Sequence, residues 1–282
     1  MLRSLFAGIS GLRTNQTMLD VTGNNIANAN TTGFKSSTTV FSDTLSQMLT
    51  AASGGNADRG GTNPIQVGLG VQLAATSINF GQGSAQLTGR ATDVMLQGDG
   101  MFVLRDGQQN VYTRAGAFTF DQTGVLVAPN GMRVQGYALD AAGAPTGGLV
   151  DLDLAMINGT LPAGVELTSY SISADGKIRG VFSDGVQRDV GQLAIADFNN
   201  PMGLEKVGDT GYRESANSGP VELGVAGQGQ RGQVMAGALE MSNVDLSAEF
   251  TNLILAQRGF QASSRVITTS DQVLEELVNI KR

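Results

Sequence analysis

The chain has 282 residues, 41% of them hydrophobic, which is enough to bury the core of one large domain or two modest ones. Its formal net charge of −7 argues against nucleic-acid binding, because neutralising phosphates needs clustered Lys and Arg. The chain contains no cysteine and no histidine, which excludes disulfides, thiolate metal sites and histidine catalysis. We therefore expect no enzymatic activity, no catalytic residue, no metal and no cofactor.

Both ends of the chain are free of proline, because all six prolines lie between Pro64 and Pro220. Long helices require such proline-free segments. No run of about 18 apolar residues occurs, so we expect no transmembrane helix. The first residues, MLRSLFAGISGLR, lack a continuous apolar segment, so we also expect no cleaved secretory signal.

The first predicted element is an N-terminal helix. Along residues 2–26, positions spaced alternately three and four residues apart are mostly apolar, which is the heptad pattern of a helical seam. The apolar positions of this seam are Leu2, Leu5, Ile9, Leu12, Leu19 and Ile26. Residues 51–63, AASGGNADRGGTN, predict a flexible linker that leaves this helical region.

In the middle of the chain the heptad spacing of apolar residues is replaced by short β-prone runs. Between Val71 and Phe198, short β-prone runs such as MFVL and QLAIADF alternate with dipeptides that favour hairpin turns. These dipeptides are Asp99-Gly100, Asp106-Gly107, Asn130-Gly131, Asn158-Gly159, Asp175-Gly176 and Asp184-Gly185. The pattern predicts an antiparallel β domain.

The last predicted element is a C-terminal helix with the same heptad spacing. Its apolar positions are Leu246, Phe250, Leu253, Phe260, Ile267, Leu274 and Val278. We expect Ser242 or Asn243 to cap this helix, while Asp245 and Glu249 place negative charge in its first turns. One such helix is typical of an ordinary globular core, but two apolar seams at opposite ends of one chain favour a terminal coiled coil.

Together these patterns predict an α+β fold. It consists of a discontinuous coiled coil, made by the N- and C-terminal helices, plus a central antiparallel, mainly β domain. We place the helical domain at residues 1–35 and 240–282, a bridging segment at 36–75 and the β domain at 76–239. Ordering a helix costs about 1–2 kcal/mol of conformational entropy per residue. The free energy gained by burying the apolar seam alone does not offset this cost. We therefore expect ends that are loose in the free subunit and fold on assembly.

Several motifs resemble a known family. They are SGL (Ser10–Leu12), NNIAN (Asn24–Asn28), NTTGFK (Asn30–Lys35), QGDGMFVL (Gln97–Leu104), YTRAGAFTFDQTGVLV (Tyr112–Val127), GLEKVGDTGYRES (Gly203–Ser215) and the whole stretch Gly237–Arg282. They cover both ends and much of the middle of the chain. On these residues the chain resembles the axial proteins of the bacterial flagellum, which are the rod and hook subunits.

The resemblance implies that the two terminal helices pair and line the inner tube of a helical filament, with the β domain in its outer shell. The family motif at the end of the first helix corresponds to Asn24, Asn25, Ile26, Ala27, Asn28, Asn30, Thr31, Gly33, Phe34 and Lys35. Asparagine tolerates left-handed backbone and offers both a donor and an acceptor. We expect Gly33 to supply the positive φ that ends the helix, and Phe34 to anchor the exit against a neighbour.

Within the family, the segment GTNPIQVGLGV and the ending ELVNIKR resemble a short hook protein, whereas the chain length resembles the distal rod protein. We expect a hook subunit, a flexible joint that transmits torque, with the rigid distal rod as the alternative. The implied partners are other copies of the chain, adjacent rod, hook-cap and hook–filament junction proteins, and the flagellar type III export apparatus. The export motif of the family begins with Phe, and Leu5 stands at that position here. The resemblance implies a location in the flagellum, outside the cell, reached by export without a cleaved signal.

Other interpretations depend on weaker features. GQGQRG (Gly227–Gly232) fits the dinucleotide fingerprint, but no strand and helix surround it, so a flexible return into the C-terminal helix is favoured. DLDL (Asp151–Leu154) offers two carboxylates to a hard cation, but its alternation favours an edge strand with both carboxylates in solvent. A surface adhesin on a coiled-coil stalk is the remote alternative, and it predicts a small stable oligomer.

Overall fold

The computed structural model describes residues 2–55, 60–140, 143–153 and 167–280. The chain forms two compact units. The first, which we call the helical unit, consists of Met1–Ala27, Ser37–Asn79 and Val244–Arg282. The second, which we call the β unit, consists of Asn28–Ser36 and Phe80–Asn243.

The helical unit contains the two long helices of the described residues, α1 (Leu2–Ala27) and α2 (Leu246–Ile280). Both lie in the proline-free ends of the chain, where the heptad patterns predict them. Their contacts pair the start of α1 with the far end of α2, so the two helices pack antiparallel. No helix in the described part of the chain is both long and apolar enough to cross a membrane.

The cap of α2 differs from the expectation. The carboxylate of Asp245 accepts hydrogen bonds from the backbone N–H groups of Ser247, at 2.8 Å, and Ala248, at 3.3 Å. This is the arrangement of a helix N-cap. The expected caps Ser242 and Asn243 therefore lie upstream of the true cap, and the prediction was wrong by two residues or more.

Four strands complete the helical unit: β1 (Ser37–Asp43), β2 (Ser46–Thr50), β3 (Ile65–Gly68) and β4 (Val71–Ile78). β1 pairs with β4 and β2 pairs with β3, both antiparallel. Beyond β2 and β3, Ser53 and Thr62 form an isolated antiparallel bridge inside the segment expected to be a linker. α1 contacts both β1 and β4, and the backbone N–H of Val71 donates to the hydroxyl of Ser10 at 3.3 Å.

The β unit contains sixteen strands among the described residues. They are β5 (Ala85–Leu87), β6 (Val94–Gln97), β7 (Met101–Asp106), β8 (Gln109–Thr113), β9 (Thr119–Phe120), β10 (Leu126–Val127), β11 (Arg133–Leu139), β12 (Pro145–Asp151), β13 (Leu167–Ile172), β14 (Lys177–Phe182), β15 (Gln187–Asp197), β16 (Glu205–Gly208), β17 (Gly211–Arg213), β18 (Glu222–Val225), β19 (Gln233–Ala236) and β20 (Ala238–Glu240).

Twelve of these strands form one sheet, whose main path is β13-β14-β15-β11-β7-β8-β17-β16. β9, β10, β12 and β18 attach to this path, while β6 pairs with β19 and β5 with β20. In the described ranges every pairing between these strands is antiparallel, and an isolated bridge between Asp99 and Arg231 is parallel. The predicted α+β fold with a mainly antiparallel β domain is therefore confirmed.

Several predicted turns also occur. Gly107, Gly176 and Gly185 have φ angles of 61°, 74° and 76° and lie in the hairpins β7–β8, β13–β14 and β14–β15. Glycine adopts this backbone conformation without a steric cost. Asp99-Gly100 instead separates β6 from β7, which do not pair with each other, and Asn158-Gly159 lies outside the described residues.

The core of the β unit is apolar and closed. Phe102 and Phe118 are fully buried and meet edge to face, with ring centroids 5.4 Å apart. They are surrounded by Val94, Leu96, Leu104, Leu126, Val134, Leu152, Ile178, Leu193 and Ile195, among others. The twelve-stranded sheet and the β6–β19 pair thus supply one buried apolar core, and burial of apolar surface stabilises this unit.

The two weaker motifs are structural in this fold. GQGQRG forms the turn between β18 and β19, where the N–H of Gly227 donates to the carbonyl of Gly232 at 3.0 Å. The carboxylate of Asp151 accepts hydrogen bonds from Arg105, Arg133 and Gln135, so the expectation that it faces solvent was wrong.

Candidate assembly site

Small and polar side chains take part in the contact between α1 and α2. Its cross-helix pairs are Ser4 with Ser270, Gly8 with Ile267, Gly11 with Ser263, Asn15 with Gly259 and Asn25 with Glu249. On each helix four of these residues recur at intervals of three or four, and the fifth lies ten residues away. Small and polar residues therefore take part in the contact along most of its length.

Glycines set how closely the two helices approach. A Cβ atom added at Gly11 would lie 2.8 Å from the hydroxyl of Ser263, and one added at Gly8 would lie 3.0 Å from Cγ1 of Ile267. A Cβ atom added at Gly259 would lie 2.5 Å from the amide oxygen of Asn15. A larger residue at these positions would therefore require the side chain of Ser263, Ile267 or Asn15 to move.

Asn25 is the central polar residue of this contact and is only 1% exposed. Its side-chain amide donates to the carboxylate of Glu249 at 2.9 Å and to the carbonyl of Ser37 at 2.8 Å. Its side-chain oxygen accepts from the N–H of Ser37 at 3.0 Å. One amide thus joins the end of α1 to α2 and to the first residue of β1, which explains an asparagine at this place in the NNIAN motif.

The predicted apolar seams lie beside this contact. Leu5, Leu12, Leu19, Ile26, Leu253, Ile267 and Leu274 are half-buried, Ile9, Leu246, Phe250, Phe260 and Val278 are exposed, and the side chain of Leu2 is outside the described part. Ile267 does reach across to Gly8. At the neighbouring positions, glycine and serine allow the two backbones to approach closely. Sequence reasoning followed the large residues and missed the small ones, although Gly8, Gly11 and Gly259 have the same period.

The NTTGFK motif contributes to the β unit. α1 ends at Ala27, before this motif, so Gly33 does not end the helix as expected. Gly33 does have a positive φ of 69°, and its N–H donates to the carbonyl of Glu240 at 2.7 Å. A Cβ atom here would lie 2.4 Å from the backbone nitrogen of Ala115, so only glycine fits this crossing.

Lys35 is fully buried in what we call the Lys35 cluster, with Glu240, Arg114 and Gly81. Its ammonium group donates to the carboxylate of Glu240 at 2.5 Å and to the carbonyl of Gly81 at 2.9 Å. The guanidinium of Arg114 lies 3.5 Å from the other carboxylate oxygen. The same carboxylate accepts from the N–H of Gly83 at 2.9 Å, so Glu240 joins both cations to the backbone.

The electrostatics of this cluster oppose burial of the lysine. Burial lowers the pKa of Lys35 below its ordinary value of 10.5, because desolvation penalises the ammonium form. The hydrogen bond and the negative charge of Glu240 act in the opposite direction. The cluster is therefore stable only while both partners are present.

The remaining motif residues have more modest roles. Phe34 lies under the ammonium group of Lys206, 4.9 Å from its ring centroid, within the β unit itself. The hydroxyl of Thr31 donates to the side chain of Asn28 at 3.0 Å. Ile26 is half-buried, and Asn24, Ala27 and Asn30 are exposed.

Exposed apolar side chains are the main surface feature of the helical unit. Within the described residues, no group of three or more acidic residues could hold a metal ion. Large apolar side chains are instead exposed along the helical unit, including Phe6 at 66%, Phe250 at 52% and Ile280 at 81%. Exposed apolar surface of this extent is typical of protein interfaces.

Three family models match separate parts of the chain. The model described as flagella basal body rod protein matches residues 5–35, and the flagellar hook protein FlgE/F/G D1 domain matches residues 95–180. The model described as flagellar basal body rod FlgEFG protein C-terminal matches residues 235–280. The matched segments include α1, much of the β unit and α2.

Curated relatives align with the whole chain. A flagellar basal-body rod protein FlgG of Bacillus subtilis is 45% identical over 283 residues, covering 100% of both chains. A flagellar hook protein FlgE of Borreliella burgdorferi is 32% identical over 441 residues, and a FlgG of the same organism is 34% identical over 287, again covering 100% of each chain. Rod and hook proteins of this kind are structural parts of the flagellum that polymerise. The chain belongs to this family of flagellar rod and hook axial proteins.

Proposed function

We propose that the chain is a hook subunit, which polymerises into a tubular flexible joint that transmits torque from the motor to the filament. The observation that carries this proposal comes from one organism that has both kinds of relative. In Borreliella burgdorferi, 32% of 441 positions is about 141 identical residues in the hook protein, whereas 34% of 287 positions is about 98 in the rod protein. The hook relative thus matches about half of this 282-residue chain and the rod relative about a third.

The distal rod is the second candidate. The Bacillus subtilis relative named as a rod protein aligns over 283 residues with 45% identity, which leaves almost no room for insertions in either chain. The hook relative from Borreliella burgdorferi needs an alignment of 441 residues, so it carries segments that this chain lacks. The length therefore favours a rod, and the number of identical residues favours a hook.

The helical unit supports assembly in either case. We propose that its helices pair as a coiled coil that lines an inner tube, with residues 1–35 and 240–282 in that layer. Residues 36–75 bridge neighbouring copies, and residues 76–239 form the outer shell. Burying one exposed Leu or Phe of α1 or α2 against a neighbour contributes about 1.5–3 kcal/mol. Assembly thus provides the buried surface that the free helices lack.

The partners in this proposal are other copies of the chain, the adjacent rod, the hook cap and the hook–filament junction. Subunits reach the growing end through the flagellar type III export apparatus. We further propose that the apolar seam residues, from Leu5 to Val278, act in contacts between copies. The exposure of Leu246, Phe250 and Val278 supports that role.

The test is the position of the subunit in isolated hook–basal bodies. A small epitope inserted between Gly54 and Gly60, a stretch of the chain bordered by exposed residues, would be labelled with gold and viewed by electron microscopy. A hook subunit places gold along the curved segment outside the cell, and a rod subunit places it inside the basal body. The untagged parent strain is the control for labelling. Gold confined to the basal body would overturn the hook assignment. If neither the hook nor the basal body is labelled, both the hook and the rod assignments are overturned.

A further inference from the structure

The apolar side chains of α2 on either side of its contact with α1 form two separate rows, while Ile254, which is 56% exposed, lies opposite that contact. At about 100° per residue, the face that contacts α1 has one row on each side, each about 80° away around the helix. The first stripe consists of Leu246, Phe250, Leu253, Phe260 and Val278. The second stripe consists of Leu255, Val266, Val273, Leu277 and Ile280, all of which are at least 43% exposed. An isolated helix pair needs only one apolar face, so two flanking stripes indicate two further partners.

The two stripes differ in charge. Asp271 and Glu275 lie on the first stripe, whereas Arg258 and Arg265 lie at the border of the second. Glu276 also borders the second stripe and reduces its net positive charge to one. Among the described residues, none of these five side chains takes part in a salt bridge within the chain, so their charges are available to a neighbour.

We propose that the first stripe of α2 in one copy packs against the second stripe of α2 in the next copy. This inference rests on the proposed function, because it takes the partner to be a second copy of the chain in a polymer. A contact between two different faces leaves both faces of each added copy open, so it generates an open helical assembly. A contact between two first stripes would oppose Asp271 and Glu275 to their own counterparts and is disfavoured.

The positions of the charges also specify an offset between copies. If neighbouring α2 helices run parallel, a displacement of 13 residues along the helix places Asp271 of one copy opposite Arg258 of the next. A displacement of 10 residues places Glu275 opposite Arg265. At a rise of 1.5 Å per residue, this corresponds to roughly 15–20 Å along the helix axis. Complementary charges thus determine both which stripes meet and how far neighbouring copies are shifted.

Charge reversal in the purified full-length chain tests the proposal. The variant R258E/R265E makes both stripes acidic, and D271R/E275R makes both basic. Each variant alone should raise the critical concentration for polymerisation about tenfold, because repulsion replaces attraction at every contact. An equimolar mixture of the two, and the variant that carries all four changes, should polymerise like the wild type. Sedimentation and electron microscopy measure the polymer, and the deficits should shrink as salt is added.

The control carries the same change in net charge on the β unit, R179E/R213E, and should polymerise normally. If the wild type polymerises and the mixture fails to restore assembly, the stripe pairing is overturned while the proposed function stands. If R258E/R265E polymerises like the wild type, the pairing is likewise overturned. A wild-type chain that forms no polymer under any condition would overturn the proposed function itself.

Discussion

The two units of this chain place their large apolar side chains in opposite ways. In the β unit, Phe102, Phe118 and Leu126 are fully buried. In the helical unit, Phe250 and Ile280 are mostly exposed, while glycine, serine and asparagine, together with Ile267 and Glu249, lie in the contact between α1 and α2. The β unit therefore buries a large apolar core within one chain, whereas the helical unit leaves large apolar side chains exposed. We propose that this difference separates the part that is stable by itself from the part that assembles.

The largest expected effect comes from comparing one substitution in the core of the β unit with one on the exposed surface of α2. Phe102→Ala should destabilise the β unit by about 3–5 kcal/mol, because it leaves a cavity in a closed core. Phe250→Ala should leave the stability of the free chain almost unchanged and should weaken polymerisation instead. All four tyrosines lie between Tyr112 and Tyr212, so tyrosine fluorescence during urea unfolding reports on the β unit alone. Equal destabilisation by the two substitutions would contradict the division between the units.

The Lys35 cluster provides the second prediction. Glu240→Gln should cost about 3 kcal/mol, because it leaves Lys35 and Arg114 buried without a negative partner. The double variant Lys35→Met with Glu240→Gln should recover part of that loss, since one buried cation is removed as well. Urea unfolding followed by tyrosine fluorescence measures both. If Glu240→Gln stays within about 0.5 kcal/mol of the wild type, the cluster does not stabilise the β unit.

The third prediction sharpens the description of the helix contact. Alanine favours a helix interior over glycine by about 1 kcal/mol, so Gly23→Ala, where an added Cβ meets nothing within 4 Å, should stabilise α1. Gly11→Ala should lose part or all of that gain, because the new methyl group lies too close to the hydroxyl of Ser263 and requires that side chain to move. Thermal melting followed by circular dichroism at 222 nm compares the two variants. Identical shifts would mean that the helices are not in close contact.

The smallest effect concerns alkaline pH. Burial raises the pKa of Tyr112 to about 12, compared with an ordinary value of 10.0. The neutral phenol therefore stabilises the fold fully below pH 10, and this contribution is lost as the pH rises from 10 toward 12. Tyr112→Phe should make the unfolding free energy less dependent on pH in this window. Urea unfolding at several pH values, with the exposed substitution Asp20→Asn as a control, measures the difference. An unchanged slope would contradict the buried, neutral state of this phenol.

Much of the fold could be predicted from local patterns. Proline-free ends with heptad spacing predicted α1 and α2, and Asp-Gly dipeptides predicted hairpins because glycine is needed at a positive φ. The β-prone run at Val71 predicted β4, but strands β1 to β3 were not predicted, because their segment combines glycine-rich and polar residues and its strands pair with residues distant in the sequence. The role of Asn25 was not predicted either, since its partners Ser37 and Glu249 are far apart in the sequence.

The sequence by itself determined the element types, the antiparallel β domain and the family, because periodicity, turn residues and motifs are local properties. Only the tertiary structure decided which face of each helix meets the other. Large apolar residues and small ones follow the same period on α1 and α2, and periodicity alone cannot rank them. At Gly8, Gly11 and Gly259 the two helices approach closely, while Phe250 and Phe260 remain exposed. Likewise, only the folded β unit brings Lys35, Arg114 and Glu240 together, because charges so distant along the chain carry no local signal of their pairing.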